Sequence, residues 1–503
     1  MRRFALPVTV PRLAAGLAVT AALAALAVVG SGAAFITAAS ASAAVTARGA
    51  VTTTCTVTWA GLASLPDWTN PNNWSTGQVP GPTSDVCIGT GVDVLTDISI
   101  TVHSLHLGPF AGIAMEGTSS NPLTATVTTT LGLSPGGASR VDLTYATVNA
   151  AEINNQGGTI YTDGTCNLTS PDIVFGNGGS LQAANGPTSL TSLAQLSNGT
   201  LTGASFSTSN GTVVLPGDIT HLVSSNIGVG VNSAITDSGG HSALTGLNSI
   251  DAHSSLTADS NLSLAGSLTA DGNVTVGVKT LTALGSFTQA QGNLMLNEGR
   301  LSAGQVTIGQ PAFLNEGAST ITGNLLNDGT VFAGGSARVT GSYTQAPGAN
   351  LGAGFSGTLK VAGLATLAGT LSPDDVFPIP GSTSPAITFG SRSGGFTAVS
   401  LGFTQLTTAT AVEAVATPQI AAAPTTVAPG GTVGVTGASF TFGSSVKIFL
   451  DRVGGKLLAT TGAGYRGRFS VSVTIPLTTK AGSHTLIAVG SDGSQASVPI
   501  TVS

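Results

Sequence analysis

Between Ile98 and Val415 the chain repeats its rhythm without keeping a fixed length. Leu256-Thr257-Ala258-Asp259 returns twelve residues later as Leu268-Thr269-Ala270-Asp271, and Ser197-Asn198-Gly199-Thr200 returns at the same interval as Ser209-Asn210-Gly211-Thr212. Leu296-Asn297-Glu298-Gly299 recurs after eighteen residues at Leu314-Asn315-Glu316-Gly317, and again at Leu326-Asn327-Asp328-Gly329. Gly285-Ser286-Phe287-Thr288-Gln289-Ala290 comes back after fifty-six residues as Gly341-Ser342-Tyr343-Thr344-Gln345-Ala346. A short apolar run, a Gly or Asn corner and a second short run form a unit that cannot bury its apolar face alone. Stacked units pair each backbone with the next at about 4.7–4.9 Å. Asn and Gly supply the left-handed corner angles that β-branched residues resist. The expected fold is therefore all-β, with a parallel β-helix (β-solenoid) over residues 98–415. At roughly 20 residues per turn this gives about 15 turns and a rod about 70 Å long. The competing all-β arrangement, an array of two-sheet sandwiches, needs hairpin alternation over long strands, and that alternation is missing.

Composition supports the class. Charged residues make up 8% of the chain, where ordinary domains carry about 25%, so helices would lack their usual charged solvent faces. Disordered chains are poor in apolar residues, whereas this one is 41% hydrophobic with a mean hydropathy of +0.37.

The N-terminus reads as an export signal. Arg2, Arg3 and Arg12 precede an apolar run from Leu13 to Gly30, and Ala41-Ser42-Ala43 forms a small-residue cleavage site, giving a signal peptide at residues 1–43. The alternative is an uncleaved anchor, because the run approaches the ~20 residues that span a bilayer. No later segment reads as a membrane span, so the expected location is secreted, extracellular and cell-wall associated. Cys55 and Cys87 bracket one compact segment and suit a disulfide in an oxidising compartment. Cys166 reads as a small buried apolar residue.

Residues 44–97 form a distinct Trp-rich opening module containing all three tryptophans, Trp59, Trp68 and Trp74. Its run Thr58-Trp59-Ala60-Gly61, Asp67-Trp68-Thr69-Asn70-Pro71-Asn72-Asn73-Trp74, Gly77-Gln78-Val79-Pro80 and Asp85-Val86-Cys87-Ile88 resembles the opening of bacterial secreted β-helix, autotransporter-passenger-like proteins. The resemblance implies that this segment starts the solenoid. The tryptophans then have two readings: an aromatic carbohydrate contact, or the packed core of a cap over an edge that would otherwise invite aggregation. The G-S-(F/Y)-T-Q-A elements resemble the closing turns of autotransporter passengers. The barrel such proteins carry next would need many alternating strands, and fewer than a hundred residues follow.

From Pro418 to Ser503, alternating strands separated by Pro/Gly turns predict a small β-sandwich. The pieces Pro429-Gly430-Gly431-Thr432-Val433, Val446-Lys447-Ile448-Phe449-Leu450-Asp451, Gly467-Arg468-Phe469-Ser470-Val471 and Gly482-Ser483-His484-Thr485-Leu486 resemble the Ig-like (IPT/TIG-type) modules of secreted actinobacterial proteins. This region carries +4, against −14 from Gly49 to Val415. A basic terminal module on an acidic solenoid suits contact with anionic cell-wall polymers.

Catalytic chemistry is not visible. Acids such as Asp237, Asp251, Asp259, Asp271, Glu298, Glu316 and Asp328 stand singly, and Asp374-Asp375 is the lone adjacent pair. Histidines His221, His241 and His253 lack close metal-ligand spacing. No catalytic, cofactor or metal residue is assigned, and a secreted acidic chain argues against nucleic acid as partner. The expected function is a non-catalytic structural or adhesion and surface-display protein, with cell-wall or other extracellular polysaccharide, or surface proteins, as partners. The alternatives are a polysaccharide lyase or hydrolase working in a solenoid groove, whose face would gather three or more carboxylates or a Lys/Arg–Asp set, and a carbohydrate-binding protein.

Overall fold

The computed structural model describes residues 54–61, 65–134, 138–354, 357–374 and 378–503. The expected signal peptide at residues 1–43, and Asp375 of the acidic pair, lie outside the described residues. The fold is all-β, 58% strand and 1% helix, with a parallel β-solenoid of about 14 turns followed by a small separate sheet region. No helix among the described residues is long and apolar enough to cross a membrane.

Each turn is built from three strands. In one turn Thr280–Ala283 forms the first side, Phe287–Gln289 the second and Asn293–Leu296 the third. The third side is a single 15-stranded sheet from Asp93–Thr96 to Ala398–Val399. Alternation along its strands sends one column of apolar side chains inward. Val94, Ile113, Val141, Ile160, Leu181 and Phe206 follow one another in register, and the column continues through Leu371. All of these are buried and belong to one hydrophobic cluster running through the solenoid. The first and second sides are shared by an 11-stranded and a 16-stranded sheet, because several strands continue across the corner between them. A bulge absorbs the bend: register shifts between Val127 and Thr130, and between Ser302 and Gln305.

Turn length varies because the corners differ. Phe313 and its partner Thr330 are 17 residues apart, whereas Asn226 and Ser255 are 29 apart. Asn177, Asn185, Asn198, Asn210 and Asn232 hold positive φ at corners, between 48° and 52°, the conformation Asn tolerates better than β-branched residues do.

The recurring G-S-(F/Y)-T-Q-A element is now explained. Phe287 pairs with Val306, Val306 with Leu325 and Leu325 with Tyr343, so the fifty-six-residue interval is three turns of the second side. Its glutamines, Gln289 and Gln345, are buried where the second side turns to the third. Gln345 donates to the carbonyls of Ala349 and Thr370, each at 3.1 Å. The Tyr343 hydroxyl donates to Gln345 Oε1 at 2.6 Å and accepts from the Asn327 amide at 3.0 Å. These buried amides thus find hydrogen-bond partners among the corner carbonyls. The twelve-residue recurrences have a different origin: Leu256–Ala258 lies on the third side and Leu268–Ala270 on the second, within one coil.

At the C-terminal end, strands Phe403–Thr407 and Ala411–Ala416 form a hairpin that pairs antiparallel with Thr383–Gly394 and ends the parallel stacking. Beyond it lie a three-stranded sheet (Gln419–Ala423, Thr432–Ala438, Phe469–Thr474) and a five-stranded sheet containing Ser445–Leu450 and Gly482–Gly490. They enclose a second hydrophobic cluster around Val433, Phe440, Ile448, Val473 and Leu486. Asp374 is engaged here, accepting from Arg466 at 2.9 Å.

Candidate functional site

The solenoid bends most clearly where Leu123–Leu133 and Ala146–Gln156 each run unbroken from first to second side. Thr128 and Thr129 stand opposite Ala151 at the bulge, and hydroxyls take up the backbone groups left over. Thr129 Oγ1 donates to the His103 carbonyl at 2.7 Å, Ser170 Oγ to the Ala151 carbonyl at 3.2 Å, and Thr191 Oγ1 to the Ser170 carbonyl at 2.9 Å.

Beside this bend lies a shallow groove of about 430 Å³, lined by Thr126, Val127, Asn149, Ala150, Thr169, Ser170, Pro171 and Thr191. Register makes its polar lining a ladder: Thr101 pairs with Thr126, Thr126 with Asn149, and Asn149 with Thr169. Thr191 continues it, one position beyond the Leu168–Leu190 pair. Hydroxyls and one amide therefore repeat at about 4.8 Å across the strands, comparable to the advance of one sugar in an extended glycan. Such groups donate and accept hydrogen bonds and supply no acid–base chemistry near neutral pH. Neither a carboxylate nor a cation lines this groove.

Carboxylates stand on the other side of the bend. Glu152 pairs with Thr130 and accepts from Thr130 Oγ1 at 3.1 Å and from the Asn154 amide at 3.2 Å. Because Ile153 pairs with Ile173, Asp172 sits one turn away from Glu152 in the same column. Further along, Asp85 accepts from Ser104 at 2.6 Å and lies 2.7 Å from His103 Nδ1, contacts that hold its carboxyl below its ordinary pKa.

His106 shares this face, its ring lying over Gly132. Burial pushes the His106 pKa below its ordinary value, against the attraction of Asp85 and Glu152. The fold therefore prefers neutral imidazole, whereas the unfolded chain takes up the proton near pH 6.5. Stability is thus lost as pH falls below about 6.5 towards the lowered folded value. The melting temperature of the protein is expected to drop more between pH 7.5 and 5.5 than that of His106→Gln. Equal drops would show that His106 is not the group responsible.

The sequence-derived residues fall elsewhere. Trp68 and Trp74 are 1% and 2% exposed and sit in the solenoid core cluster, so a sugar cannot stack on their faces; Trp59 is partly buried against the same cluster. Cys55 and Cys87 are joined by a disulfide with Cα atoms 5.8 Å apart. Cys166 is buried, and burial raises its thiol pKa. His221 contacts Thr220 at 2.8 Å and His241 contacts Asp237 at 3.4 Å. Among the described residues no group of three or more His, Cys, Asp or Glu side chains is arranged to hold a metal ion. Sequence reasoning missed the Thr126–Thr191 ladder and the Glu152–Asp172 column, because uneven turns hide which residues share a column. A scan against protein-family models and a search of curated proteins both find no match.

Proposed function

We propose that this is a secreted, non-catalytic extracellular protein, a structural or adhesion element whose solenoid lies against cell-wall or other extracellular polysaccharide. The observation that supports this reading is the bend groove, walled by Thr126, Asn149, Thr169 and Thr191 and free of lining carboxylates. Glycan hydroxyls match such a ladder, and chemistry on a glycosidic bond does not. In this reading the chain is exported by its N-terminal signal. It belongs with autotransporter-passenger-like β-helix proteins, and residues 418–503 form an Ig-like, IPT/TIG-type module of actinobacterial style.

The test is a binding assay of the purified protein against cell walls and a polysaccharide panel, with new reducing or unsaturated ends monitored. Saturable binding without new ends is expected, weakened in Asn149→Ala/Thr169→Val. Absence of binding to every glycan would refute the adhesive role. The second reading, a polysaccharide lyase or hydrolase, is favoured by one observation, the placement of Glu152 and Asp172 one turn apart beside the groove. Release of sugar ends that disappears in Glu152→Gln would establish that reading in place of the first.

A further inference from the structure

The few cations of the solenoid are gathered in one part of it. Of the six lysines and arginines between Ile98 and Val415, Arg140 alone lies in the early turns. Lys279, Arg300, Arg338, Lys360 and Arg392 all fall in or next to strands of the 16-stranded sheet. From Thr280–Ala283 to Thr383–Gly394 the strands of that sheet contain no Asp or Glu. Register then aligns three of the five on the first side: Arg300 pairs with Thr320, Thr320 with Arg338, and Arg338 with Lys360. Their neighbours Leu301, Val339 and Val361 are buried, so these three point outward, and all three are exposed. None forms an ion pair with a described residue. Two positions along from Thr280, Arg300 and Thr320 runs a hydroxyl column, in which Thr282 pairs with Ser302 and Ser302 with Thr322.

We propose that this stripe binds a linear polysaccharide bearing carboxylates on its sugars, laid along the first side across the strands. Cations at intervals of one and two turns, about 5 and 10 Å, present positive charge at the spacing of successive sugar units. The hydroxyl column beside them meets the sugar hydroxyls, which a bare polyphosphate lacks. The acidic remainder of the solenoid repels a polyanion, so charge decides which side it contacts. The inference rests on the polysaccharide-binding reading above and names the ligand class.

The experiment titrates the full-length protein with polygalacturonate, inorganic polyphosphate, single-stranded DNA and neutral pullulan, at low and high salt. Polygalacturonate is expected to bind more tightly than the other three, and less tightly as salt rises. Arg300→Gln/Arg338→Gln/Lys360→Gln is expected to lose about tenfold in affinity, three exposed charge contacts being removed, with unchanged thermal unfolding. Lys447→Gln/Arg452→Gln/Lys456→Gln, in the C-terminal sheets, is expected to bind as the parent does. Loss in the C-terminal variant alone, no loss in the stripe variant, or equal binding of polyphosphate or DNA would overturn the proposal. Binding to cell walls without binding to polygalacturonate would overturn the stripe and leave the broader reading standing; binding to no glycan would remove both.

Discussion

Replacing Trp74 by alanine is expected to cost about 4 kcal/mol and to make the protein self-associate. Trp74 is 2% exposed, and its ring meets Trp59 and Trp68 edge-on at centroid distances of 4.9 and 4.7 Å. Its indole N–H donates to the Trp68 carbonyl at 2.8 Å. Truncating a buried Trp costs about 3–5 kcal/mol, and each aromatic pair adds about 0.5–1.5 kcal/mol. The larger consequence concerns the edge beneath. Leu95, in the first strand of the third side, donates to the Pro66 carbonyl at 2.7 Å and accepts from the Trp68 amide at 2.8 Å. On the second side, Thr58 accepts from the Ser75 amide at 2.9 Å. The chain from Pro66 to Ser75 therefore occupies backbone groups that would otherwise template another strand. Chemical unfolding with sedimentation velocity tests this. Trp74→Phe keeps most of the packing and is expected to lose about 1–2 kcal/mol, chiefly the indole hydrogen bond. A Trp74→Ala protein that unfolds like the parent and stays monomeric would show that the tryptophans do not hold the cap.

How much of this was legible beforehand depended on what each residue's neighbours in sequence could say. The class was visible because inward and outward positions alternate within a strand, as in Arg300-Leu301-Ser302, and Asn corners announce the turns. The surfaces were not, because a column joins residues from different turns, and the turns differ in length. Thr126, Asn149, Thr169 and Thr191 share no motif; only hydrogen bonding between turns brings them together. Arg300, Arg338 and Lys360 likewise look scattered until the register places them in one column. The Leu-Thr-Ala-Asp recurrence after twelve residues reads as a repeat but joins two different sides, since any inward-facing run with a polar corner suits either. One periodic signal was present all along. Gly285, Gly304, Gly323, Gly341 and Gly363 fall at similar intervals. Hydrogen bonds join successive members, Gly304 to Gly285 at 3.2 Å, Gly341 to Gly323 at 2.9 Å and Gly363 to Gly341 at 3.0 Å.

That glycine ladder marks the corner between first and second sides, and it leads to the second large effect: Gly323→Ala is expected to destabilise the solenoid by about 3 kcal/mol or more. Two causes act together. Gly323 has a φ of +128°, a conformation essentially reserved for glycine and costing a substituted residue about 1–3 kcal/mol. A Cβ added there would also run into the Ala303 carbonyl oxygen of the preceding turn. That atom is backbone, already fixed by the stacking, so relief requires separating two turns and stretching the hydrogen bonds on either side. Overpacking of this kind costs about 1–3 kcal/mol more. Gly178→Ala separates the two causes, because Gly178 also has a positive φ, +83°, but nothing within 4 Å of an added Cβ. It is expected to lose only about 1 kcal/mol, the usual penalty of a left-handed angle. Denaturant midpoints of the two variants, compared at unchanged slope, read the difference directly. Equal losses would mean that the turns can spread at the corner without cost, and that the ladder of glycines does not set how closely the solenoid stacks.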